Sequence, residues 1–336
     1  MMPTSWHDVI SRVRGLASRL IGRAALERLA ASRDLGAFVN GLETTAYASL
    51  ANVTSPTGRT LERETRRVAG RNAGIIALWC GERVDALAPL FEDEDRRNLR
   101  SLARGIMAHE GADQRLAGLL PTPALPNAAL EELSHSVRLA DLAATLSAWG
   151  NPYGPAMMPE AARETPNLFA LQLALDREYA ARSLKMAPRA GDAIVRYVRL
   201  VIDEENVSTA LAVAAGTVEH DPKTLFIAGG DLMSADQFAE LVGLGLTDLR
   251  ERLAPMLAAT PLAPLANAMP ETHETATLTA LLRELRRTVR RNPLSTEVIL
   301  EYLLRLRAEL HDLARIIWGI ALHVPRGRVT ERFVTP

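Results

Sequence analysis

The chain holds a single cysteine in 336 residues, so an internal disulfide is impossible and most zinc sites are excluded. Cys80 lies in the apolar run IIALWC, which suggests a buried thiol in a reducing compartment, the cytoplasm. Lysines are almost as scarce: Lys185 and Lys223 are the only two, and neither follows a glycine-rich turn. No GxxxxGK[ST] phosphate loop is present, so nucleotide hydrolysis is not expected. GxSxG is absent, and the seven histidines show no HExxH or paired-ligand spacing; His311 beside Asp312 reads as structural. A formal charge of −1 supplies no global basic field, so no nucleic-acid partner is expected. The longest apolar run near the C-terminus, IIWGIAL (residues 316–322), falls far short of the roughly 20 residues that span a bilayer. With no signal-peptide core at the N-terminus, membrane association is expected only through other chains. Aromatics make up 4%, alternating strand patterns are missing, and an Ala/Leu/Arg/Glu bias predicts an all-α fold.

What the chain has instead is self-similarity. LERETRRVAGRN (residues 61–72) and LLRELRRTVRRN (residues 281–292) agree at seven of twelve positions. A middle copy, LDREYAARSLKM (residues 175–186), keeps Leu, Arg and Glu at its first, third and fourth positions. The copies align Glu64, Glu178 and Glu284. A second element recurs downstream as DRRNLRSLA, DEENVSTAL and ELHDLARII, starting at 95, 203 and 309. It aligns Asp95, Asp203 and Glu309, and also Asn98, Asn206 and Asp312. A third element, ALERL at 25 and ALEEL at 129, precedes both, with FAEL at 238 as a weaker copy. Turn residues concentrate in PTPALPN (121–127) and HDPKTLFIAGGD (220–231). The order of elements predicts three helical units, 1–118 with an N-terminal helix, 119–225 and 226–336. Pro89 followed by Glu92, Asp93 and Glu94 reads as a helix start, with acids at the positive end of the dipole. NPYGPAMMPEAARETPN (151–167) is rich enough in Pro and Gly to predict a long loop.

Chemically, EDED (92–95) and DEEN (203–206) resemble the Asp-rich, Mg²⁺-binding sets of helical isoprenoid synthases. The pattern is threefold, however, where a two-metal site needs two facing helices. The plainer reading makes these acids helix caps or solvated groups, with Asn98 and Asn206 bonding to neighbouring helices. The stripe Arg283, Arg287 and Arg290, with Glu284 beside it, reads either as a solvated face or as a surface for acidic partners. No catalytic, cofactor-binding or metal-binding residue is expected.

Taken in order, SRVRGLASRLI (11–21), GLETTAY (41–47), VRLVIDEENVSTAL (198–211), FIAGGDLM (226–233) and EYLLRLRAELHDLARIIWGIAL (301–322) resemble the C subunit of bacterial and archaeal V-type (A-type) ATPases. The eukaryotic relative of that family is the d subunit. The family pattern is an acid, two residues, then Asn-Leu-Arg. Asp95, Asn98, Leu99 and Arg100 satisfy it; the second copy has Val207 and Ser208, and the third has Asp312 and Ala314, at the later positions. The resemblance implies a funnel of three helical lobes about a pseudo-threefold axis, non-catalytic and without cofactor. It implies a place at the cytoplasmic mouth of the membrane proteolipid ring, receiving central stalk subunits and coupling them to proton or sodium transport. Without the resemblance, two readings stay open: a helical-repeat scaffold with unknown protein partners, and a Mg²⁺-dependent helical synthase.

Overall fold

The structure, a computed structural model, describes residues 5–216, 224–269 and 272–336. Among these residues every regular element is helical, as the periodicity predicts. The α-helices are α1 (His7–Ala17), α2 (Arg23–Leu29), α3 (Leu35–Asn40), α4 (Gly58–Cys80), α5 (Val84–Met107), α6 (Ala112–Ala117), α7 (Asn127–Ser134) and α8 (Leu139–Ala148). They continue as α9 (Tyr153–Ala161), α10 (Leu168–Met186), α11 (Asp192–Ala214), α12 (Ala235–Val242), α13 (Leu246–Leu257), α14 (His273–Arg291), α15 (Glu297–Ala321) and α16 (Arg326–Thr330). Long helices come in three consecutive pairs, α4 with α5, α10 with α11 and α14 with α15, each preceded by shorter helices. Glu64, Glu178 and Glu284 all lie on the first member of a pair.

The chain packs as two compact units built from non-contiguous segments. One contains Met1–Val84, Arg97–Ser136 and Leu285–Pro336; the other contains Asp85–Arg96 and Val137–Glu284. In the first unit α15 packs against α4, α1 and α3. Its core joins Leu26, Phe38, Leu42, Tyr47 and Leu50 to Leu61 and Val68 of α4 and to Leu313, Ile316 and Ile317 of α15. Removing each large apolar side chain from water contributes about 1.5–3 kcal/mol. The start of α4 is fixed by a reciprocal cap, in which Thr57 Oγ1 accepts from the Thr60 N–H and Thr60 Oγ1 accepts from the Thr57 N–H. Cys80, at the end of α4, is buried, and burial pushes its thiol up to about 11, so it stays protonated at neutral pH.

In the second unit α8 packs closely on α9, and α9 on α10. Here the structure corrects the sequence reading, because the expected loop at 151–167 contains α9. Pro155 sits in the first turn of α9, where its missing N–H is no loss, and the N–H that Pro159 lacks would have pointed back to the Pro155 carbonyl. Gly154 lies directly against the backbone of Ser147 and the carbonyl of Ala143, leaving no room for a Cβ. Proline and glycine therefore serve close helix packing here. A second correction concerns α5, which begins at Val84 and carries Pro89 inside it. Burial of Ala86, Leu87, Leu90 and Phe91 extends the helix ahead of the proline, and the acidic run falls in mid-helix.

Candidate functional site

Three acids of the EDED run are buried rather than solvated: Glu92, Asp93 and Asp95 are each less than a tenth exposed, while Glu94 is half-buried. In the second unit Glu92 and Asp93 meet arginines, with Arg96 at the centre. Its Nη1 donates to Asp176 Oδ1 and to Glu205 Oε1, each at 2.6 Å, and its Nη2 donates to Asp93 Oδ1 at 2.7 Å. Tyr197 donates its hydroxyl to Asp93 Oδ2 at 2.8 Å, and the guanidinium lies 5.1 Å from the Tyr179 ring centre. Burial alone would favour the neutral guanidine, but Glu205, Asp176 and Asp93 outweigh it and hold Arg96 charged well above the ordinary arginine range. One side chain thus ties α5 to α10 and α11. Beside it, Arg182 donates to both oxygens of Glu92, at 3.1 and 2.8 Å. Among the described residues no group of three or more His, Cys, Asp or Glu side chains could hold a metal. Glu92 and Asp93 are thus not helix caps, since they lie in mid-helix and their charge is taken up by Arg182 and Arg96 from within the fold.

The repeated Asx positions share one geometry. In the first unit Asn98 Nδ2 donates to the Leu120 carbonyl at 2.7 Å, and its Oδ1 accepts from the Leu120 N–H at 2.9 Å. In the second unit Asn206 treats Ile227 identically, at 2.8 and 2.9 Å. Each amide therefore holds a backbone segment past the end of its own helix rather than a neighbouring helix. Asp312, again in the first unit, has acceptors only and takes two successive N–H groups, from Val334 and Thr335, both at 2.8 Å. The held residues 120, 227 and 334 are evenly spaced at 107. The substitution of Asp for Asn changes which backbone groups are bound and keeps the clamp.

Two of the acids three residues earlier, Asp203 and Glu309, also hold backbone. Asp203 accepts from the N–H groups of Asp231 and Leu232, at 3.0 and 3.1 Å. Gly230 packs against that carboxylate so closely that a Cβ would overlap it, and Gly229 adopts φ +112°, so the glycines of IAGGD serve this grip. Residues 220–223 of the same stretch lie outside the described residues. Glu309 accepts from the Ile21 N–H and from the Tyr47 hydroxyl, the latter at 2.6 Å. It lines a cleft of about 650 Å³ with Arg19, Thr44, Thr45, Asn72 and Tyr302. Burial raises Asp203 and Asp312 above the usual carboxylate range against the pull of their N–H donors. It raises Glu309 to about 7.

Sequence reasoning missed the held residues and the partners of Arg96. A signal for the former existed: LLPTP at 119–123 and FVTP at 333–336 bracket the FIAGG of 226–230 at the same spacing. Replacing Asn206 with leucine should lower stability by about 1–3 kcal/mol, because the N–H and C=O of Ile227 would be left buried and unpaired. Urea unfolding reads this directly, and Mg²⁺ should not restore it. An N206L chain as stable as the parent, or a parent whose melting rises by several degrees in Mg²⁺, would refute the clamp as described.

The clamps at Asn98, Asn206 and Asp312 spend their polar atoms on the chain's own backbone, which makes them structural ties. The chain belongs to the ATP synthase (C/AC39) subunit family, whose model matches residues 9–332. It is similar to the C subunit of the V-type ATP synthase of Deinococcus radiodurans, 27% identical over 70% of this chain and 67% of that protein. It is also similar to the C subunit of the A-type ATP synthase of Desulfurococcus sp., 26% identical over 96% of this chain and 88% of the relative. For the corresponding A-type protein of Thermococcus onnurineus the figures are 26%, 66% and 61%. Among the described residues no helix is long and apolar enough to cross a membrane.

Proposed function

We propose that the chain is a non-catalytic central-rotor component of a rotary V/A-type ATPase, a socket that couples central stalk subunits to the membrane proteolipid ring. The family match along nearly the whole chain carries this reading. The clamps at Asn98, Asn206 and Asp312 support the architecture that goes with it: units 1–118, 119–225 and 226–336, arranged as a funnel with pseudo-threefold symmetry. Asp95, Asp203 and Glu309 would be equivalent positions, as would Glu64, Glu178 and Glu284. Such a socket transmits torque through many moderate contacts, with charge setting orientation more than affinity. It works at the cytoplasmic face of the membrane, held there by its partners, in a complex that moves protons or sodium ions.

Deleting the gene should leave ATP hydrolysis by the soluble head intact and abolish ATP-driven ion uptake into inverted membrane vesicles. Restoring the chain should restore uptake. Vesicles that pump normally without it would overturn the reading.

A further inference from the structure

The two most similar arginine helices differ in how their charge is met. On α4, Arg66 pairs with Glu62 at 3.2 Å, and Arg63 and Arg67 lie 3.6 and 3.8 Å from Glu64. On α14 the position matching Glu62 is Leu282, which is fully buried. Arg286, Arg287, Arg290 and Arg291 line the other side of α14, and all four are exposed. None of the four has an ion pair or hydrogen bond among the described residues. The match to Arg290 on α4 is Gly70, where a Cβ would collide with Pro121. The face that α4 hides beneath a clamped segment therefore carries arginine on α14. Favourable interaction with the helix dipole accounts for Arg290 and Arg291, which fall in the last turn, but not for Arg286 and Arg287 further in.

We propose that Arg286, Arg287, Arg290 and Arg291 form a docking surface for an acidic helical segment of another protein. The four guanidinium groups run along one side of the helix at i, i+1, i+4 and i+5, and that register matches carboxylates repeated at the same spacing on an apposed helix. Guanidinium suits such a partner because its planar fork takes both oxygens of a carboxylate. A membrane-binding helix would need apolar side chains on the exposed face. The apolar side of α14, Leu278, Leu282 and Leu285, is buried in the fold, and Leu294 just beyond the helix is a single exposed leucine. The whole chain is nearly neutral, so attraction is local to this stripe. The inference does not depend on the rotor reading.

The test uses the full chain and a labelled alanine-rich helical peptide with glutamates at i, i+1, i+4 and i+5, titrated by fluorescence anisotropy at about 50 mM salt. A second peptide of identical composition has its glutamates spread around the helix. The striped peptide should bind at least about tenfold more tightly than its isomer. Binding should be lost in R287E/R290E, whose fold is checked by circular dichroism, and regained by that variant with a lysine-striped peptide. Equal binding of the two isomers, or unchanged binding by the variant, would overturn the proposal. So would tight, R287E/R290E-sensitive binding to vesicles containing about 30% phosphatidylserine with no preference for the striped peptide, which would assign the surface to lipid.

Discussion

Replacing Arg96 with methionine should destabilise the chain by about 3–5 kcal/mol, because removing one partner of a buried ionic cluster leaves the others uncompensated. Three carboxylates, Asp93, Asp176 and Glu205, converge on this side chain from three helices. Methionine keeps much of the volume and none of the charge, so the loss is electrostatic rather than a cavity effect. R96K should recover only part of it, since an ammonium cannot reproduce the fork that reaches Asp93 through one nitrogen and Asp176 and Glu205 through the other. The deficit of R96M should shrink as pH falls, when the stranded carboxylates take up protons. Urea unfolding of the three proteins at neutral and acidic pH measures all of this. A deficit below about 1 kcal/mol at neutral pH, the size of an exposed pair, would show that the cluster is not the tie described.

The second large effect is a pH dependence centred on Glu309. Its folded value of about 7 stands above the ordinary 4.5, chiefly from burial, opposed by the Tyr47 hydroxyl, the Ile21 N–H and Arg305, with Asp312 adding to the rise. Between these two values the folded chain holds a proton that the unfolded chain gives up. The residue's contribution is therefore fully present below about pH 4.5 and is lost as pH rises through about 7. The loss amounts to roughly 3 kcal/mol, at about 1.4 kcal/mol per pH unit. E309Q cannot titrate, so its stability relative to the parent should climb from about pH 5 to 7 and level off above. Parallel stability curves for the two proteins across that range would show that Glu309 does not titrate there.

The all-α fold was legible because helical periodicity is a local signal, and the repeat was legible because it needs only comparison of the chain with itself. The 151–167 segment was misread for a physical reason: proline and glycine usually mark turns, yet Pro155 sits where an N–H has no partner and Gly154 where two helices touch. That distinction exists only in three dimensions. Asp95, Asn98 and their counterparts stood out through recurrence, but what Asn98, Asn206, Asp203 and Asp312 hold lies 21 to 29 residues downstream, and what Glu309 holds lies at Ile21 and Tyr47. The role of Arg96 was invisible because two of its three partners come from α10 and α11, and no spacing rule links Asp176 and Glu205 to an arginine on another helix.

The hydrogen bonds from Ile21 and Tyr47 to Glu309 close the chain over 288 and 262 residues, which bears on how the protein is made. The segment Met1–Val84 shares its core with α15, and α15 is synthesised more than 200 residues after that segment. All residues of the other unit precede position 285, so that unit can be completed while α15 is still being added. At translation rates of about 5–20 residues per second, α2, α3 and α4 wait roughly 10–50 s for their partner with leucines and Phe38 uncovered. On the ribosome this segment is made more than 200 residues ahead of the helix that buries it, which makes it a stretch in need of a chaperone.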